Sequence, residues 1–162
     1  MIAGDQVSVS VLVDVAPEVA FSVFTEEIDQ WWRRGVAYRV AGKRPGTLVI
    51  ECKLGGRLLE QYETKAGPRL YESGTITAWD PPKHLAFEWR GSNFKEGEVT
   101  FVDVTFTPTE SGKTSVALVH RGFAALRPDH PVRHGEPPDV FLAHFGRWWG
   151  CLLTSLREHA GR

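Results

Sequence analysis

His120, Glu60 and Tyr62 are the residues whose type and position could do chemistry. His120 ends a β-rich run, Thr114 to His120, that places Val116, Leu118 and His120 on one face. An inward histidine with a pKa near neutrality could act as general acid or base, or hydrogen-bond a ligand carbonyl. It could equally be a core histidine bonded to a neighbouring strand, because nothing in the sequence supplies its partner. Glu60 and Tyr62 share a face with Leu58. Facing inward they would be polar groups in an apolar wall, and facing outward a solvated rim. A one-residue shift of register exchanges the two. Arg57, beside Gly55-Gly56, could steer a carboxylate at a pocket mouth or pair with an acidic surface neighbour.

Other chemistries find little support. His130 and His134 are four apart with Asp129 adjacent and His144 beyond, but Pro131 lies between them. A helical histidine pair is therefore not implied, and no metal is expected. The chain has no Cys-x-x-Cys, no Gly-x-Gly-x-x-Gly, no phosphate-binding Gly-Lys-Ser/Thr loop and no Gly-x-Ser-x-Gly elbow. No cofactor is expected, and no catalytic set can be assigned. Any catalysis would be acid–base work on a bound apolar substrate.

Aromatic residues are the compositional anomaly: six tryptophans and nine phenylalanines in 162 residues. Phe87, Trp89, Phe145, Trp148 and Trp149 form the set expected to face the interior. They would stack on a planar ligand or simply pack the core. Val104 and Leu118 on strand faces, and Phe141 and Leu152 on a helix face, complete the expected apolar lining together with Trp32, Tyr62 and His120. Trp31 and Trp32 would sit at a pocket entrance or clamp a short helix.

The elements that must position these groups follow from periodicity. Gln6 to Val13 alternates as a first strand. Pro17 opens a short helix with an apolar stripe at Val19, Ala20, Val23 and Phe24, and a second short helical piece holds Ile28, Trp31 and Trp32. Six further strand-like runs follow: Thr47 to Lys53, Leu58 to Thr64, Tyr71 to Trp79, His84 to Trp89, Val99 to Phe106 and Thr114 to His120. Their turns fall at Gly55-Gly56, Gly67-Pro68, Asp80-Pro81-Pro82 and Glu110-Ser111-Gly112-Lys113, as in an antiparallel meander. Phe123 to Pro138 is proline-rich and reads as a loop that could act as a lid. After Pro138, Phe141, Phe145, Trp148, Leu152 and Leu156 recur at helical spacing, with Leu142, Trp149 and Leu153 beside them. Gly146 and Gly150 within that helix suggest a close backbone approach or space left for a ligand.

The expected fold is α+β: one domain over residues 1–162, with a curved antiparallel sheet of six to seven strands around a long C-terminal helix. Two short helices follow the first strand. A curved sheet against one helix tends to leave an apolar space between them. Apolar residues make up 42% and charged residues 24%, ordinary for a soluble globular domain. The net charge of −1 gives no footprint for nucleic acid or an anionic membrane. No run is long enough to span a bilayer, and residues 1–13 lack a signal-peptide layout. Cys52 and Cys151 read as small core residues in a reducing compartment, which points to the cytoplasm.

Several stretches resemble the START-like, or helix-grip, superfamily, also called the polyketide cyclase and birch-pollen-allergen-like (SRPBCC) superfamily. They are Val15 to Phe21, Asp29-Gln30-Trp31-Trp32, Gly55 to Glu60, Gly74-Thr75-Ile76 with Trp79 to Leu85, Val116 to Phe123, and Gly146 to Leu156. Within the superfamily the chain is most similar to the homologues of the activator of heat-shock protein 90 ATPase. The resemblance implies the helix-grip fold. It implies one of three functions: binding a small hydrophobic, lipid- or polyketide-like molecule, cyclase- or dehydratase-type catalysis, or partnership with a chaperone. The activator that names the branch carries a separate N-terminal domain for which this chain has no spare residues, so ligand binding is preferred over a chaperone partner. An edge strand such as the first could pair across a homodimer.

Overall fold

The structure is a computed structural model and describes residues 5–161. Its element order is β1 (Gln6–Val13), α1 (Pro17–Glu26), α2 (Ile28–Trp31), β2 (Gly46–Ile50), β3 (Arg57–Thr64), β4 (Gly67–Asp80), β5 (His84–Trp89), β6 (Thr100–Pro108), β7 (Thr114–Arg121) and α3 (Pro138–Ala160). Two 3-10 turns, Phe123–Ala125 and Pro131–Arg133, lie between β7 and α3. The seven strands form one antiparallel sheet in the order β1-β7-β6-β5-β4-β3-β2. The sheet closes on the chain's first strand because β1 pairs with β7, Val9 opposite Leu118.

Alternation decides which faces are buried. Val102, Val104 and Phe106 on β6 and Val116, Leu118 and His120 on β7 all point into the core. The sheet bends at register shifts next to Leu58 and Ile76. At the bend, Gly74 lies against the Glu88 carbonyl, where a side chain would collide with the backbone.

Helix α3 starts with proline in its first turn and ends with Arg157 and His159, in keeping with its dipole. It buries Trp149, Leu152, Leu153 and Leu156 in the main core against the sheet, and Phe141 in a separate cluster with Phe123, Leu126 and Val132. At Gly146 the neighbour is a side chain and not a backbone: a Cβ there would lie 3.3 Å from Val7 Cγ2 of β1. Gly150 has no such neighbour. Helix α1 plugs the opposite end, where Phe21 meets Trp79 and Phe106 edge-on or tilted at 5.1 Å.

Both cysteines are exposed, contrary to the expectation of core positions. The ladder of β2 ends at Ile50, so Cys52 falls in the turn beyond it. Cys151 lies on the outward side of α3, between the buried Trp149 and Leu152. Apolar neighbours in sequence place a residue in an element but not on its buried face.

Candidate functional site: a cleft beside the helix

The space between sheet and helix is mostly filled. Phe87, Val104, Leu118, Trp149 and Leu152 are buried in a single core cluster and line no cavity. Two spaces remain. An outer cleft of about 510 Å³ lies between the first half of α3, the 36–40 segment, the β5–β6 connection and the turn at Val132. An inner cavity of about 50 Å³ lies further along the sheet, beside Glu60. Tyr38, Val40, Trp89, Gly91 and Trp148 line both, so the two spaces share a wall.

Trp89, Phe141, Phe145 and Trp148, all expected from sequence, line the outer cleft, and Trp32 lines the inner cavity. Tyr62 lies on the same inward face as Leu58 and Glu60, but it lines neither space. Its ring is covered by the Arg44 guanidinium at 5.4 Å. Arg57 makes the surface alternative real, since its guanidinium pairs with Glu51 at 2.8 Å. Among the described residues no cluster of metal-ligating side chains occurs.

The 36–40 wall has no periodicity and went unread in the sequence, yet two bolts hold it. Asp29 and Arg39 form the first. The buried Arg39 guanidinium donates to the Asp29 carboxylate and to the carbonyls of Asp29, Trp32 and Arg33. Burial opposes the charged form of Asp29. The Leu48 N–H with the Arg39 and Arg34 guanidinia more than offset it, and the carboxyl is held below its usual range. The second bolt is aromatic. Trp32 Nε1 donates to the Tyr38 carbonyl at 3.0 Å and Trp148 Nε1 to the Ala37 carbonyl at 2.7 Å, while Tyr38 stacks on Trp148.

The segment expected to be a loop or lid is a packed cap with a small core of its own: Phe123, Leu126, Val132 and Phe141. Arg133 donates to the carbonyls of Phe123, Leu126 and Arg127 and lies over the Phe141 ring. Glu98 ties the cap to the β5–β6 connection by accepting from Arg127 at 2.8 Å, and His130 Nε2 lies 3.2 Å from its carboxylate without a hydrogen bond. Arg127 and the Lys95 N–H hold the Glu98 carboxyl down to about 2. Phe94 and Val132, brought to the cleft by these contacts, carry no sequence signal of their own.

His120 is fully buried and saturated. Thr100 Oγ1 donates its only proton to the Trp89 carbonyl at 2.9 Å, so at 2.7 Å it must accept from His120 Nε2. Trp149 Nε1 can only donate, and it does so to His120 Nδ1 at 3.0 Å. The imidazole is therefore the neutral Nε2–H tautomer. Burial pushes its pKa down to about 3. It lines neither space and has no free nitrogen for a ligand. His120 is thus a structural histidine, and acid–base work on a bound molecule falls outside its reach.

A seven-stranded antiparallel sheet wrapped on one long C-terminal helix, with an aromatic cleft beside that helix, defines a START-like, helix-grip domain. The chain belongs to the family of activator of Hsp90 ATPase homolog 1-like proteins, whose model matches residues 14–137. Solved structures share its fold. The chain is similar to Txn09, an anthrahydroquino-gamma-pyrone synthase solved in complex with SUM, at 28% identity and TM-score 0.58, covering 97% of this chain and 99% of that one. It shares its fold with the Aha1 dimer from Colwellia psychrerythraea (16% identity, TM-score 0.59, 99% and 97% covered). It also shares it with a protein of unknown function from Staphylococcus aureus (13%, TM-score 0.65, 96% and 93% covered). No curated protein sequence matches the chain significantly.

Proposed function

We propose that this protein binds a small, flat, hydrophobic molecule in the outer cleft, with polyketide-like aromatics as the ligand class. The observation that carries the reading is the cleft itself. Its volume of about 510 Å³ falls in the range of small-molecule sites, and its walls are Trp89, Phe94, Phe141, Phe145 and Trp148. Ser92, Asn93, His134 and His144 give the rim a few polar groups, as ligand sites of this kind have. The 28% identity with a synthase of anthrahydroquinone–pyrone type supports a polycyclic ligand.

Native mass spectrometry of protein purified from its own host tests this. The expected result is a co-purifying aromatic molecule, with tryptophan emission changing when naphthalene is added to the stripped protein. A bare mass together with unchanged emission would sink the proposal. The likeness to Txn09 also favours a second reading, in which the bound molecule is converted. That reading requires groups other than His120, and release of a product of altered mass distinguishes it.

A further inference from the structure

The inner cavity holds a carboxyl that no side chain among the described residues pairs with. Glu60 is only 4% exposed and lies on the inward face of β3, between Leu48 of β2 and Tyr71 of β4. A buried carboxylate is costly unless it is paired. The obvious partner, Arg39, is committed to Asp29 and three backbone carbonyls. Glu60 accepts from the Val40 N–H at 2.7 Å, and among the described residues no side chain donates to it. Its pKa is raised: burial outweighs the Val40 and Ala41 amides and the more distant Arg39 charge. It is also the only carboxyl among the described residues that line either space. The other hydroxyl-bearing ring with a settled role there, Tyr71, spends its proton on the Arg90 carbonyl at 2.9 Å.

The size of the inner cavity fits this carboxyl's spare capacity. About 50 Å³ admits a water or one hydroxyl-sized group, not a ring. A flat ligand in the outer cleft would cross the shared wall at Tyr38, Trp89 and Trp148 with only its edge. Resting on the cleft-binding reading above, we propose that Glu60 is the specificity-determining residue of this site. It accepts a hydrogen bond from a hydroxyl on the leading edge of the bound aromatic. The ligand class is thereby narrowed from apolar aromatics to phenols and enols that carry a donor at one end. Whether ionised or protonated, the carboxyl can accept that bond.

Fluorescence titration with naphthalene, 2-naphthol and 2-methoxynaphthalene tests the inference. The wild-type protein is expected to bind 2-naphthol about tenfold tighter than naphthalene, the size of one net hydrogen bond. The methyl ether, which cannot donate, should lose that gain. In Glu60→Gln the amide oxygen can keep the Val40 bond while the NH2 faces the cavity. That NH2 can donate to the oxygen of either 2-naphthol or its methyl ether, so the preference for 2-naphthol over the methyl ether should fall to about twofold or less. A urea melt matching wild type reports that the variant is folded. If naphthalene binds but wild type does not prefer 2-naphthol to both naphthalene and the methyl ether, or if Glu60→Gln keeps the full preference over the methyl ether, the role of Glu60 is overturned and the cleft reading survives. If none of the three probes binds wild type, the cleft reading fails and takes this inference with it.

Discussion

Two polar side chains face the same interior, and the contrast between their surroundings explains the site. His120 on β7 is closed in by Thr100, Trp149, Phe123 and Phe145, with both ring nitrogens hydrogen-bonded. Glu60 on β3 is nearly as buried but faces a cavity and receives only backbone donors. A buried polar group with every valence met holds a core together, whereas one with capacity to spare is available to a ligand. The β1-β7-β6 side of the sheet is therefore a closed core under α3. Space remains beyond the end of β5, between the 36–40 segment, the β5–β6 connection and the first half of α3, and only the small inner cavity reaches β2, β3 and β4.

The sharpest way to break this contrast is His120→Ala. The change opens a void and strands the Trp149 N–H, so it should cost about 3 kcal/mol of unfolding free energy in urea melts. Naphthalene affinity of the folded fraction should stay unchanged. A variant of normal stability that no longer binds would invert the roles assigned here.

The pH dependence of stability follows from the same burial. The pKa of His120 lies near 6.5 in the unfolded chain and about 3 in the folded one. Between those values the unfolded state binds the extra proton, so stability must rise with pH. His120's contribution is complete above pH 6.5 and is lost as pH falls toward 3. The slope from one such group approaches 1.4 kcal/mol per pH unit. His130, also lowered by burial, adds in the same direction. Below about 4.5, Glu51 and Glu98, both held near 2 by arginine partners, steepen the loss. Urea midpoints from pH 7 to 5 should fall for wild type and fall less for His120→Gln.

Smaller changes sharpen the other half of the contrast. Trp148→Phe keeps a ring on α3 but removes the bond to the Ala37 carbonyl. It should cost about 1 kcal/mol and loosen the 36–40 wall, weakening naphthalene binding by several-fold in the same titration. Val36 is 78% exposed and lines the cleft. Val36→Asp should leave the melting curve within about 0.5 kcal/mol of wild type and lower naphthalene affinity by roughly threefold. Equal affinity would place the ligand elsewhere.

Much of this was legible in the sequence. His84–Trp89 and Gln6–Val13 are strands with the bounds that alternation predicts, because a half-buried strand writes its period directly into the chain. The α3 stripe was readable for the same reason. Trp89, Phe145 and Trp148 were expected at the site and line the cleft. Tyr38, Val40 and Phe94 were not, because they lie in irregular segments whose positions depend on Arg39, Trp32 and Glu98 reaching across the fold.

The sequence by itself determined the elements, their order and the apolar faces, since local periodicity and turn residues specify these. Tertiary structure alone decided which interior residues meet space and which meet each other. The strand bends, the bolted 36–40 segment and the packed cap set the cleft's shape. They also separate a saturated His120 from a Glu60 that only backbone amides meet, because hydrogen-bond partners come from residues distant in the chain.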